Sequence, residues 1–150
     1  METRTDLTAE LFTVVGRFRR QLRRSTGSGF DGTGLTQSQG ELLRLVGRRP
    51  GISVREAATE LGLVPNTAST LVSKLGADSL LIRTVDADDR RVGRLRLTKD
   101  AQRIADESRA ARRAALSAVL DELDPGQLDS LERGLEVLAE MTRMLHERQP

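Results

Sequence analysis

The chain has 150 residues, of which 37% are hydrophobic and 2% aromatic, and its formal net charge at pH 7 is +2. This length suits one compact unit, and the near absence of aromatic residues predicts a core of Leu, Val, Ile and Ala. With no Cys and one His, the sequence excludes disulfides, thiol redox sensing and cysteine-based metal sites, and it supplies nucleophilic or zinc catalysis poorly. We therefore predict neither an enzyme nor a bound metal or cofactor.

The charge is unevenly distributed along the chain. Residues 36–97 carry ten Arg/Lys against seven Asp/Glu, whereas residues 98–150 carry eight against eleven. This asymmetry suits a chain whose middle meets phosphates. No apolar run has the length of a membrane span, and the first residues lack an apolar stretch of signal-peptide length. We therefore expect a cytoplasmic protein with no membrane partner.

Two helices are predicted in the first fifty residues. Apolar residues at helical spacing run from Leu7 to Leu22 and are followed by a glycine-rich loop at residues 25–34. Thr36 and Gln39 have the spacing of a capping box, which predicts a second helix beginning there. Because a glycine inside a helix costs roughly 1 kcal/mol relative to Ala, Gly40 suggests that a neighbouring helix approaches closely.

Two short helices separated by a glycine-containing turn are predicted next. Ser53 and Glu56 repeat the capping-box spacing at the start of the third helix, and Gly62 can end it in the left-handed conformation. Pro65 suits the first position of a fourth helix, which should run to about Leu75. This arrangement is a helix-turn-helix.

Alternating apolar and polar residues predict a β-hairpin directly after the fourth helix. The strands are expected at residues 80–85 and 92–97, with the charged segment 86–91 between them. Gly93 in the second strand suggests either a bulge or a close backbone approach. A hairpin at this position after a helix-turn-helix is a wing.

Two further helices complete a mainly α fold, a six-helix winged helix-turn-helix. The fifth should run from Thr98 to about Leu123, and Asp124 with Pro125 should begin the sixth. The sixth carries a broad apolar seam that should join two copies of the chain, with burial inside one chain as the alternative. The expected dimer-interface residues are Leu128, Leu131, Leu135, Leu138 and, from the partner's first helix, Leu7 and Leu11.

Three stretches resemble the MarR family of bacterial transcriptional regulators: residues 35–43, residues 52–75, and residues 85–98. The wing sequence Asp-x-x-Asp-Arg-Arg at residues 86–91 is the most specific of them. The chain departs from the family at Ser79, where the family usually has Gly, and at Gly76, an extra glycine in the turn after the fourth helix. The resemblance implies dimerisation helices at residues 1–24 and 99–150, a winged helix-turn-helix domain at 35–98, and an effector pocket where they meet.

A helix in the major groove needs small polar side chains so that base edges can be read. At the wing, a free arginine can enter the minor groove while acidic neighbours hold the hairpin, roles we assign to Asp86 and Asp89. The alternatives are a merely solvated helix face and a solvated loop with local ion pairs. The expected DNA-binding residues are Asn66, Thr67, Ser69, Thr70, Lys74, Arg90, Arg91, Ser53 and Arg55, and also Arg94, which could instead touch its own hairpin.

We therefore expect a homodimeric repressor that binds pseudo-palindromic operator DNA and is released by a small molecule, a release that only the resemblance implies. Arg17, Phe18 and Arg20 are candidates for holding an anionic aromatic effector, although Phe18 also fits the core stripe. A winged helix that binds protein without DNA is the main alternative. A metal-sensing winged-helix repressor is a further one, which the missing cysteines oppose.

Overall fold

The computed structural model describes residues 2–27, 29–30 and 34–148, so part of the predicted glycine-rich loop lies outside the described residues. The predicted six helices and one hairpin are confirmed. In that part of the chain, no helix is long and apolar enough to cross a bilayer. The elements are α1 (Glu2–Ser25), α2 (Gln37–Arg48), α3 (Val54–Leu61), α4 (Pro65–Ala77), β1 (Leu81–Val85), β2 (Gly93–Leu97), α5 (Lys99–Leu120) and α6 (Pro125–Glu147).

The chain divides into two compact units, residues 1–115 and 116–150. The first contains α1 to α4, the hairpin and most of α5, and it holds the hydrophobic core. The second contains the end of α5 and all of α6, which has no buried residue. The core is made of Phe30, Leu42, Leu43, Leu45, Val46, Ile52, Ala57, Val72, Leu75, Leu81, Leu95, Leu97, Ala101 and Ala105.

Reciprocal hydrogen bonds between side chain and backbone begin α2 and α6. At α2, the Gln39 amide donates to the Thr36 hydroxyl at 3.2 Å, and the Thr36 amide donates to the Gln39 side chain at 2.9 Å. At α6, Asp124 and Gln127 make the same pair of bonds at 2.8 and 3.1 Å. Each box satisfies backbone N–H groups that a helix start leaves unpaired.

Only half of the capping box predicted at α3 forms. The Glu56 amide donates to the Ser53 hydroxyl at 3.0 Å, but the Glu56 carboxylate turns towards two arginines instead of returning to Ser53. Its oxygens lie 3.5 Å from Arg49 Nη2 and 4.0 Å from Arg94 Nη1. The prediction was wrong in this half because β2 carries Arg94 next to α3, where Ser53 forms an isolated β-bridge with it.

The close helix approach expected at Gly40 lies at another glycine. A Cβ at Gly40 would meet the guanidinium of Arg44, one turn along the same helix, at 3.3 Å. At Gly47, in contrast, a Cβ would lie 3.2 Å from both Ala105 Cβ and Leu97 Cδ1. Gly47 is therefore the position that allows α2 to pack tightly against α5 and β2.

Helices α3 and α4 end in the same local geometry. Gly62 after α3 has a φ of 65°, and Ser79 after α4 has a φ of 59°. Their amides donate to the carbonyl three residues earlier at 3.2 and 3.1 Å, and the next amide donates to the carbonyl five residues earlier at 2.8 and 3.0 Å. This bonding pattern favours glycine at its left-handed position, which α3 has and α4 lacks. Gly76, which the sequence placed in the turn after the fourth helix, lies inside α4.

The hairpin is regular, and the pair Leu81 and Leu97 at its base is buried in the core. Arg83 pairs with Leu95 and Val85 pairs with Gly93 in an uninterrupted antiparallel register, so the second strand contains no bulge. The close approach at Gly93 comes from the Arg83 side chain, since a Cβ there would lie 2.5 Å from Arg83 Nε. Of the β1 residues only Leu81 is buried, whereas β2 is buried at Gly93, Leu95 and Leu97.

Candidate nucleic-acid interface

The exposed face of α4 is made of small polar side chains. Ala68, Val72 and Leu75 anchor the helix in the hydrophobic interior. The Thr70 hydroxyl donates to its own helix at 2.9 Å, which leaves its oxygen free to accept a hydrogen bond. The opposite, exposed face presents four of the predicted contact residues: Asn66, Thr67, Ser69 and Thr70. Such a face lets a helix backbone approach the base edges of a major groove.

Lys74 extends this face by one turn. Its ammonium nitrogen lies 3.7 Å from an Asp78 carboxylate oxygen, and 61% of its side chain is exposed. An exposed pair of this kind contributes little to stability and leaves the ammonium able to exchange partners. The Lys74 ammonium is therefore accessible, as the predicted phosphate contact requires.

The loop between the strands is folded around Asp86. One carboxylate oxygen accepts the amides of Asp88 and Asp89 at 2.9 and 3.1 Å, and the other accepts Arg94 Nε at 2.8 Å. The hydrogen bond from Arg94, together with those from the two amides, holds the pKa of Asp86 below its ordinary value. Asp86 is therefore ionised at neutral pH and ties the first strand to the second.

Asp89 organises the tip of the same loop. Its carboxylate accepts the Arg91 amide at 3.0 Å and the Arg91 guanidinium at 3.2 Å, and this guanidinium lowers the pKa of Asp89. Arg90 is exposed and makes no hydrogen bond or ion pair with any described residue. The loop thus engages one tip arginine and leaves the other available to a partner.

Arg94 and Ser53, two predicted DNA contacts, are occupied within the chain. Arg94 is half-buried and, besides Asp86, reaches the carbonyl of Gly51 at 3.4 Å. Ser53 is buried, and its hydroxyl caps α3. Of the two roles open to Arg94, the geometry supports bracing the hairpin. Arg55 is exposed on α3 and remains accessible.

An open groove of about 900 Å³ separates the hairpin from α3 and the start of α4. Four arginines and two acidic residues stand on its walls. One of these, Arg83 on β1, was not singled out from the sequence, because alternation alone does not show which strand residues face the helices. The charged lining residues are Arg55, Glu56, Arg83, Asp89, Arg91 and Arg94.

A smaller cavity of about 130 Å³ lies among α1, α2, α5 and the segment after α1. Arginines from three helices line it: Arg19 and Arg23, Arg44, and Arg112. The predicted effector residues lie elsewhere on α1, where all three are exposed and none lines the cavity: Arg17, Phe18 and Arg20. The effector role of these three residues therefore stays a prediction.

The predicted dimer residues form exposed or half-buried apolar positions. On α6, Leu131 is 40% and Leu135 is 54% exposed, whereas Leu128 and Leu138 are half-buried. On α1, Leu7 is 64% exposed. Their helices expose several more large apolar side chains, among them Phe12, Val14, Val137, Met141 and Leu145. Apolar stripes of this extent are typical of surfaces that pack against a partner.

A comparison with protein families finds a match for the segment that contains α2 to α4, β1 and the hairpin loop. A family model described as MarR family matches residues 33–92. This segment is similar to the MarR family. No curated protein matches the chain.

Solved structures share the fold of most of the chain, beyond the segment that matches the MarR family. FabT of Streptococcus pneumoniae, solved in complex with DNA, has a TM-score of 0.80 at 19% identity, over 94% of this chain and 98% of that one. A MarR-like transcriptional regulator of Thermotoga maritima has a TM-score of 0.73 at 18% identity, over 90% and 96%. PcaV of Streptomyces coelicolor, in complex with its natural ligand, has a TM-score of 0.61 at 21% identity, over 88% and 91%. At these identities the likeness shows the fold.

Proposed function

We propose that the chain is a cytoplasmic, homodimeric and ligand-responsive transcriptional regulator, a repressor, that binds pseudo-palindromic operator DNA. One observation carries the proposal. The small polar face of α4 stands beside a hairpin whose own carboxylates order its loop and leave Arg90 uncommitted. A winged-helix domain that binds only protein has no use for this combination.

In the proposed complex, α4 lies in the major groove and the hairpin, residues 81–97, reaches the minor groove. Asn66, Thr67, Ser69 and Thr70 read bases and contact phosphates from the exposed face of α4. Arg90 enters the minor groove, where a narrow stretch concentrates negative potential. Arg91, whose guanidinium already donates to Asp89, is the alternative residue for entering the minor groove.

The dimer follows from the apolar stripes. We propose residues 1–24 and 99–150 as the dimerisation helices around the DNA-binding domain at 35–98, with Leu131 and Leu135 in the seam. Two winged domains related by a two-fold axis bind two half-sites, so the operator is pseudo-palindromic. The likeness to FabT, which was solved in complex with DNA, supports this arrangement.

The cavity lined by Arg19, Arg23, Arg44 and Arg112 is the proposed effector site. Guanidinium groups recognise carboxylates and phosphates through paired, charge-assisted hydrogen bonds, so the effector is an anion, such as an aromatic carboxylate. PcaV was solved with its natural ligand and CouR of Rhodococcus jostii with p-coumaroyl-CoA, which supports a ligand-responsive regulator. Such a ligand releases DNA only if it binds more tightly to a conformation that does not fit the operator.

The test is selection of bound fragments from the genome that encodes the chain, followed by titration of a selected fragment. We expect a palindromic site that binds at least about a thousandfold more tightly than random duplex. Asn66→Ala should reduce this preference, and Arg90→Ala should weaken binding and its salt dependence. Equal affinity for selected and random duplex, or binding indifferent to salt and to Arg90→Ala, would reject the proposal in favour of a protein-binding module.

A further inference from the structure

The four arginines that line the groove between the hairpin and the helices differ in whether an acidic side chain already binds them. Arg94 is bound by Asp86 and lies near Glu56, and Arg91 is bound by Asp89. The side chains of the other two, Arg55 and Arg83, make no ion pair or hydrogen bond with any described residue. After internal pairing, the groove therefore keeps two guanidinium charges on opposite walls, one on α3 and one on β1.

Arg83 reaches this groove because of where it stands in the hairpin. It shares a strand face with Leu81 and, across the ladder, with Leu95, both of which are buried in the core. Arg83 lies two residues beyond Leu81 towards the tip, and unlike Leu81 and Leu95 it is exposed. Its side chain consequently runs along the inner face of the hairpin, which looks towards α3 and α4.

Gly93 makes this path possible. It is the diagonal neighbour of Arg83 on the same hairpin face, and a Cβ there would lie 2.5 Å from Nε and 3.1 Å from both Cζ and Nη2. No side chain can share that space with the guanidinium in its present position. The missing side chain at residue 93 therefore determines where the charge of Arg83 lies.

We infer that Arg83, laid across Gly93, is a further DNA-binding residue that holds a backbone phosphate of the operator in this groove, opposite Arg55. The inference rests on the proposed function, in which α4 and the hairpin tip enter neighbouring grooves of one duplex. The backbone strand that separates these two grooves must then pass between α4 and the hairpin. Two uncompensated guanidinium groups at that crossing match its phosphodiester charge.

The experiment measures the salt dependence of binding to a fluorescent mixed-sequence duplex of about 30 base pairs, since phosphate contacts need no specific sequence. Each lost phosphate contact lowers the slope of log affinity against log salt by about 0.9, so Arg83→Gln should lower it by about 1.8 per dimer and weaken binding about tenfold at moderate salt. Arg83→Lys should restore most of the slope. The matched control is Arg96→Gln, which removes an exposed arginine of β2 that does not line the groove and should leave the slope unchanged.

Gly93→Ala tests the positioning by a double-mutant cycle. Alone it should reduce the slope as Arg83→Gln does, and added to Arg83→Gln it should have no further effect, because both changes remove the same contact. Thermal unfolding of each variant separates this effect from loss of the fold. An unchanged slope for Arg83→Gln in a protein that still binds DNA, or equal losses for Arg83→Gln and Arg96→Gln, overturns the inference alone. Wild-type protein that binds no duplex overturns the proposed function and this inference together.

Discussion

Ser79 occupies the left-handed position at the end of α4 that glycine fills at the end of α3, and Ser79→Gly should therefore stabilise the protein. At a φ of 59°, a residue with a Cβ costs about 1–2 kcal/mol relative to the right-handed region. Removing the side chain relieves this cost but gives the unfolded chain more freedom, which offsets about 0.4–1 kcal/mol. We expect a net gain in unfolding free energy of about 0.5–1 kcal/mol, or roughly 1–4 °C in Tm for a chain of this size.

The assay is urea and thermal unfolding at one fixed protein concentration, because the apparent stability of the proposed dimer depends on concentration. Ser73→Gly is the matched control: it makes the same chemical change at an exposed position inside α4 and should destabilise by about 0.5 kcal/mol. Opposite signs for the two variants would show that backbone conformation decides the outcome. A loss of stability in Ser79→Gly would refute the argument from its positive φ.

Three further predictions concern the hairpin, the dimer and the start of α2. In Arg94→Gln the pKa of Asp86, followed by carboxyl NMR, should rise towards its ordinary value. Because the pKa of Asp86 is depressed in the folded protein, the contact contributes its full stability above the ordinary carboxyl pKa. This contribution disappears as the pH falls through the depressed pKa. Leu135→Lys should give monomers in analytical ultracentrifugation while Glu136→Lys stays dimeric, and a dimeric Leu135→Lys protein would contradict the seam. Thr36→Ala should lower the unfolding free energy by about 1 kcal/mol in urea, and no change would contradict the capping role.

The parts of the fold that sequence predicted best depend on neighbours three or four residues apart. The caps at Thr36 and Asp124 need only a side chain and the backbone of the next turn, so their spacing was sufficient. The left-handed end at Gly62 and the alternating strands of the hairpin are equally local. The order of helices and hairpin followed from these signals.

The parts that sequence could not predict depend on segments brought together by folding. Glu56 has the right spacing for a capping box, but two arginines from outside α3 compete for its carboxylate. The arginines of the small cavity come from three helices, and their convergence is visible only when α2 and α5 have packed beside α1. Arg83 gains its place from the gap at Gly93, a relation across two strands that neither residue shows by itself.

The folded loop around Asp86 has a consequence for the speed and tightness of recognition. Because Asp86 and Asp89 already hold the amides of the loop, this segment loses its conformational freedom when the protein folds, long before any duplex is met. Binding of DNA in the proposed complex therefore does not have to order the loop, and the loss of conformational entropy on binding is smaller. In the proposed complex, Arg90 then has only the few rotatable bonds of its own side chain to fix on contact.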